Sequence, residues 1–162
     1  MMNARQLKAA FFYKSTVFSD DKNDSIPLGY ISRVIYYLSD SGKRHAKGEI
    51  QPWDKNKTAA VVPCRKVHFV SNEPKKELPV NELNEHTEKI KNAFLNVLPV
   101  VAVIPTVGTV VGHIKEIVYW RTKKGNIQCS AVILDTNCPG CTVQVRLKYI
   151  MTKEEYEKEN GC

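Results

Sequence analysis

Cys138-Pro-Gly-Cys141 is the one motif whose reactive side chains stand at a chemically meaningful spacing. Two thiols so placed can cycle as a redox pair or supply half of a tetrahedral zinc site. A redox pair wants a helix N-terminus, whose dipole lowers a thiol pKa, whereas Thr142-Val-Gln-Val-Arg-Leu147 continues as a strand. Zinc suits the turn better and needs two more ligands; Cys129, His113 and Cys162 are candidates without motif spacing. The other reading is a tight Pro-Gly hairpin turn whose cysteines are incidental. No catalytic residue is assigned. The sequence has no phosphate-binding Gly-rich loop with its lysine, no His-Glu-x-x-His, no Gly-x-Ser-x-Gly and no dinucleotide fingerprint. Of the scattered histidines, His86 reads as a surface residue of a helix, and His68 and His113 as strand-face residues.

Basic residues offer a second kind of chemistry, the neutralisation of phosphates. Lys43, Arg44, His45 and Lys47 follow one long strand, and Lys123 and Lys124 sit at the matching turn of another. Lys66 and His68 alternate with Val67 and Phe69, as Arg146 and Lys148 do with Leu147 and Tyr149. Period-two alternation turns the apolar set inward and gathers the basic set on the opposite face. Tyr37, Trp120 and Trp53 lie nearby as platforms on which bases could stack. The bland alternative is a solvated surface with the aromatics in the core.

The elements that must position these residues occur twice. Laying residues 28–42 over 111–125 matches Gly29, Ile31, Tyr36 and Gly42 to Gly112, Ile114, Tyr119 and Gly125, with Val34, Ile35 and Tyr37 answered by Ile117, Val118 and Trp120. Lys66-Val-His-Phe-Val70 answers Arg146-Leu-Lys-Tyr-Ile150 after a small deletion. Each copy reads as a long β-branched and aromatic strand, a turn ending in glycine, a second strand, and a third over 59–71 or 142–151. Val80, Leu83, Ile90, Phe94 and Val97 predict an amphipathic helix over 79–96, closed by Pro99. Thr152-Lys-Glu-Glu155 is a capping box opening another. Residues 3–14 predict a short N-terminal helix with Leu7, Ala10, Phe11 and Lys14 along one side. The plan is a mainly β (α+β) fold, a duplicated three-stranded meander with each copy followed by a helix. It comprises an arm (1–18), a polar linker (19–27), a first repeat (28–105) and a second (106–162) that forms one compact unit with the first or a unit of its own.

Composition narrows the function classes. With 162 residues, 43% hydrophobic and 25% charged, the chain is neither a disordered segment nor a membrane protein as a whole. Its longest uncharged run, 97–112, is broken by Pro99, Pro105 and Gly108 and falls short of a membrane span. Five irregularly spaced cysteines do not read as a secreted disulfide framework, which favours an intracellular location. The net charge is +7, with the positive excess in the strand regions and the negative in the helical ones. Such a balance favours an anionic partner.

Gly29-Tyr-Ile31, Lys47-Gly-Glu-Ile50 and Lys66-Val-His-Phe69 together resemble the cold-shock type of OB module, over roughly residues 28 to 105. The resemblance implies a small barrel binding single-stranded nucleic acid, with residues 100–104 as its fourth strand. Where the cold-shock pattern has stacking aromatics this chain has Arg33, Val34 and Glu49. Ala9-Ala-Phe-Phe12 ahead of the module is similar to the N-terminal cold-shock-like region of germ-line RNA helicases of the piRNA pathway. The expectation is a noncatalytic module that binds single-stranded RNA or DNA through a basic strand face, without a cofactor unless zinc sits at Cys138 and Cys141. A protein-interaction scaffold, using a sheet edge or the C-terminal helix in a larger assembly, is the alternative.

Overall fold

The computed structural model describes residues 2–21, 24–70 and 85–161. The elements run α1 (Ala4–Tyr13), β1 (Val17–Asp21), β2 (Asp24–Leu38), β3 (Arg44–Pro52), β4 (Ala60–Pro63), β5 (Val67–Phe69), α2 (Glu85–Leu95), β6 (Val100–Ile104), β7 (Gly108–Arg121), β8 (Ile127–Asp135), β9 (Thr142–Arg146), β10 (Ile150–Thr152) and α3 (Lys153–Glu159). The fold is mainly β, and the strands pair antiparallel. The sheet is open: its path runs β10-β6-β7-β2-β1-β5, with β3 and β4 branching from β2, and β8 and β9 from β7. The start of the helix expected over 79–96, together with Val80 and Leu83, lies outside the described residues, as does Cys162.

β2 and β7 organise everything else because each changes partner along its length. The first part of β2 pairs with β1 and its last part with β7, while β3 follows it on the other side. β7 does the same with β6 and then β2, with β8 alongside. Both strands carry an irregularity in register at the same relative place, between Ile31 and Arg33 and between Ile114 and Glu116. An extra residue there bends the strand and increases its twist, which re-aims its second half toward a new neighbour. Gly29 and Gly112 mark the closest backbone approach. A Cβ on Gly29 would stand 2.3 Å from the Gln51 carbonyl oxygen, and on Gly112 1.9 Å from that of Leu134.

Equivalent features recur at one constant spacing, that from Gly42 to Gly125. Gly42 N–H donates to Ser39 O and Gly125 N–H to Thr122 O, both glycines having positive φ. Lys43 N–H reaches Ser39 Oγ as Asn126 N–H reaches Thr122 Oγ1. The same spacing relates the helix ends: Lys14 and Val97 both have φ 52°, and Ser15 and Leu98 donate to Ala10 O and Ala93 O. It also relates β1 to β6 and the 3-10 turn Cys64–Lys66 to Leu147–Tyr149. A helix follows each set of strands as expected, α2 after β5 and α3 after β10, and a helix and a further strand also precede each set, α1 with β1 before β2 and α2 with β6 before β7.

Several expectations change with this geometry. The stretch 19–27, read as a polar linker, is largely strand, because β1 pairs with the start of β2 from Ser19↔Ile26 to Asp21↔Asp24 and that ladder satisfies backbone groups whatever the side chains. The N-terminal helix is no arm: its capping box at Asn3 and Gln6 starts α1, and Leu7, Ala10 and Phe11 are fully buried, whereas Lys14 is an exposed cap. Gly48 lies beneath Leu7, whose Cδ1 would be 2.9 Å from an added Cβ. The third strands are broken by the two 3-10 turns, which shifts the expected match: Val67, not Val70, is the equivalent of Ile150. β6, expected as a fourth strand of the first repeat, pairs with β7 and β10 in the second half. Buried residues of both halves form a single cluster that includes Leu7, Phe11, Ile31, Ile50, Ile90, Ile117 and Ile133.

Candidate nucleic-acid interface

Residues directly opposite in an antiparallel pair share a face, so the β2–β7 register sorts the side chains. Tyr36 faces Ala46 and Ile117, and Val34 faces Gly48 and Tyr119, on the side that the helices cover. Ile35 faces Lys47 and Val118, Tyr37 faces His45 and Glu116, and Arg33 faces Glu49 and Trp120, on the other side. Ile35 and Val118 are equivalents and also partners, so they mark a local pseudo-twofold. Tyr37 and Trp120 stand symmetrically about them, four strand positions apart and therefore roughly 14 Å from one another.

The outer face has a worked-out local chemistry in its first half. The Tyr37 and His45 rings stack at 5.3 Å with 22° between planes, and Lys47 Nζ lies 4.8 Å over the Tyr37 ring. These are the cross-strand and diagonal neighbours that a pleated pair brings into reach. Arg33 Nη2 pairs with Glu49 Oε2 at 2.8 Å, and Ser32 Oγ donates to Glu49 Oε1 at 2.7 Å. Arg33 is thus committed within the sheet, and the half-exposed pair contributes little as a surface charge. In the second half the positions of His45 and Lys47 are taken by Gln128, opposite Trp120, and the buried Ser130. Arg146, opposite Ser130 and exposed, brings a cation back to this face.

Of the basic and aromatic residues singled out in the sequence, the sheet gathers Tyr37, His45, Lys47, Trp120 and Arg146. It does not gather the two basic turns. Because β2 and β7 run antiparallel, Lys43 lies beyond one end of the pair and Lys123 and Lys124 beyond the other, separated by about 25 Å of strand. Arg44, opposite Leu38, points to the helix side and lines a groove there. Lys66 and Lys148 belong to the 3-10 turns, where period two does not hold, and Lys148 Nζ rests 5.0 Å from its neighbour's Tyr149 ring. His68 stacks on Phe18 in the β1–β5 pair. Trp53 forms a separate corner with Tyr30 at 4.8 Å and Lys14 over both rings.

Cys138 and Cys141 are joined to each other across the β8–β9 turn, closed by Cys141 N–H to Cys138 O with Gly140 at positive φ. Bonded sulfurs are not thiolate ligands, and the described residues hold no group of three or more His, Cys, Asp or Glu able to take a metal. His113 stands opposite Leu134, and Cys129 opposite Tyr119 on the helix side. His86 is no bare surface residue: its Nε2–H donates to Leu147 O at 2.8 Å and ties α2 to the second 3-10 turn.

The cations that sequence reasoning missed are on the helices. Lys8 of α1 and Lys91 of α2 both approach the Tyr119 ring, at 4.7 and 5.5 Å. The signal was present, since Leu7-Lys-Ala-Ala-Phe-Phe12 and Ile90-Lys-Asn-Ala-Phe-Leu95 align at the same spacing as the glycines. Arg121 was missed as well; its guanidinium donates to Phe11 O and to Phe12 O, closing the end of α1 from the other half of the chain. No described helix is long and apolar enough to cross a membrane. No family model matches the chain, and no curated protein or solved structure does.

Proposed function

We propose that the chain is a noncatalytic module, a duplicated unit of OB-like character, that binds single-stranded RNA or DNA across the outer face of its central sheet. The observation that carries this reading is the pair of aromatics, Tyr37 and Trp120, flanking the Ile35–Val118 pair on one face with Lys47 and Arg146 beside them. Two aromatic platforms far enough apart to hold separate bases, with cations to meet the connecting phosphates, are the parts that sequence-tolerant single-strand binding uses. Glu49 and Glu116 temper the charge of the same face, so stacking rather than charge alone sets the preference for unpaired bases. The reading goes with an intracellular setting, where such strands are met.

Fluorescence anisotropy with labelled single-stranded RNA, single-stranded DNA and duplex, at two salt concentrations, tests it. Binding that prefers a single strand, weakens with salt and falls about tenfold in Trp120→Ala supports the reading. Equal binding to duplex, or binding indifferent to both aromatics, removes it.

A further inference from the structure

A groove of about 1040 Å³ opens on the other side of the sheet, between α1, α2 and the β2–β3 pair. Tyr36, Ala46, Phe94 and Ile117 give it an apolar floor, with Leu95 at 37% exposure along its wall. Around that floor stand Arg5, Lys8, Arg44, Arg65 and Lys91, against one carboxylate among the described residues, that of Glu88. Lys8 is only 7% exposed, and its ammonium and that of Lys91 converge on one tyrosine ring. Like charges brought together over low-dielectric walls raise the local potential and favour an anionic visitor.

The lining also says what kind of anion. Among the described residues that line the groove there is no Asn, Gln, Ser or Thr, the neutral side chains that read base edges by hydrogen bonding. The groove offers instead apolar contact in the middle and positive charge at the margins, with helices on two sides. We propose that it docks an amphipathic helix of a protein partner, with Leu or Phe anchors on one stripe and Asp or Glu flanking them. Apolar anchors enter over Ala46, Phe94 and Ile117, and the carboxylates meet Arg5, Arg44 and Arg65 at the rim. Tyr37 and His45, placed on the outer face by the sheet register, also line the groove, so the two sites adjoin, and the peptide and oligonucleotide arms below tell them apart.

The probe is a set of peptides selected from a displayed library of helical sequences on the full chain, then measured individually by fluorescence anisotropy. The expected winners carry apolar residues at helical spacing flanked by acids. Their affinity falls about tenfold in Leu95→Asp and in the double variant Arg5→Glu with Arg65→Glu, weakens with salt, and is unchanged in Lys124→Glu. Leu95, Arg5 and Arg65 are exposed, and far-UV circular dichroism with a thermal melt separates lost docking from lost folding. Three outcomes overturn the proposal: no enrichment, winners without acids, or winners indifferent to the groove variants in folded protein. A single-stranded oligonucleotide that loses affinity in the same variants while the peptides do not would assign the groove to nucleic acid instead.

Discussion

The two halves of the molecule agree where the backbone is constrained and differ where side chains meet solvent. Gly29 and Gly112, Gly42 and Gly125, and the left-handed caps Lys14 and Val97 occupy matching places. On the outer sheet face the matching places hold Arg33 and Glu116, and His45 and Gln128, while Lys47 is answered by the buried Ser130. Close packing and turn geometry admit few residues, whereas an exposed face tolerates almost any polar one. The outer face is therefore asymmetric in charge even though its aromatics are symmetric, and its cations gather around Tyr37 more than around Trp120.

The hardest way to break the shared framework is to add a methyl group where two backbones touch. Gly112→Ala, and to a lesser degree Gly29→Ala, should lose about 3 kcal/mol or more in urea unfolding, since a carbonyl oxygen cannot yield as a side chain can. Equal stability in Gly112→Ala would mean that β7 and β8 do not approach as described. Next comes a position where the halves differ by design of the packing: Arg121 stands where the first half has Leu38. Arg121→Leu leaves the Phe11 and Phe12 carbonyls without their guanidinium and should cost about 2 kcal/mol, seen as a lower melting temperature.

The aromatic pair sharpens the comparison on the binding side. Trp120→Ala and Tyr37→Ala should each weaken single-strand binding about tenfold, close to 1.4 kcal/mol, without changing the melting temperature much. If only Tyr37→Ala has an effect, the cation-rich first half binds alone. The smallest effect belongs to the turns: Gly42→Ala and Gly125→Ala find open space but a positive φ, so each should cost about 1 kcal/mol, and by the same amount. A marked inequality between those two would mean that the hairpins are less alike than their hydrogen bonds indicate.

Much of this was readable before any coordinates. The glycines of residues 28–42 and 111–125 announced matching hairpins, and Thr152 with Glu155 announced a helix start, because turns and caps are specified by neighbours in sequence. The third strands were misread because a 3-10 turn within them has no period that alternation can reveal. The linker was misread because polar composition says nothing about the backbone ladder, which here joins β1 to the start of β2.

By itself, then, the sequence determined the local elements and their recurrence: period two for the strands, glycine for the turns, and a capping residue for each helix start that it could mark. Only the tertiary structure decided which face each basic residue joins. The antiparallel meeting of β2 with β7 sends Lys43 and Lys124 to opposite ends, brings Tyr37 and Trp120 onto one surface, and leaves Lys8 and Lys91 facing one ring between the helices. Those juxtapositions join residues far apart in the chain, and no local spacing encodes the register that makes them.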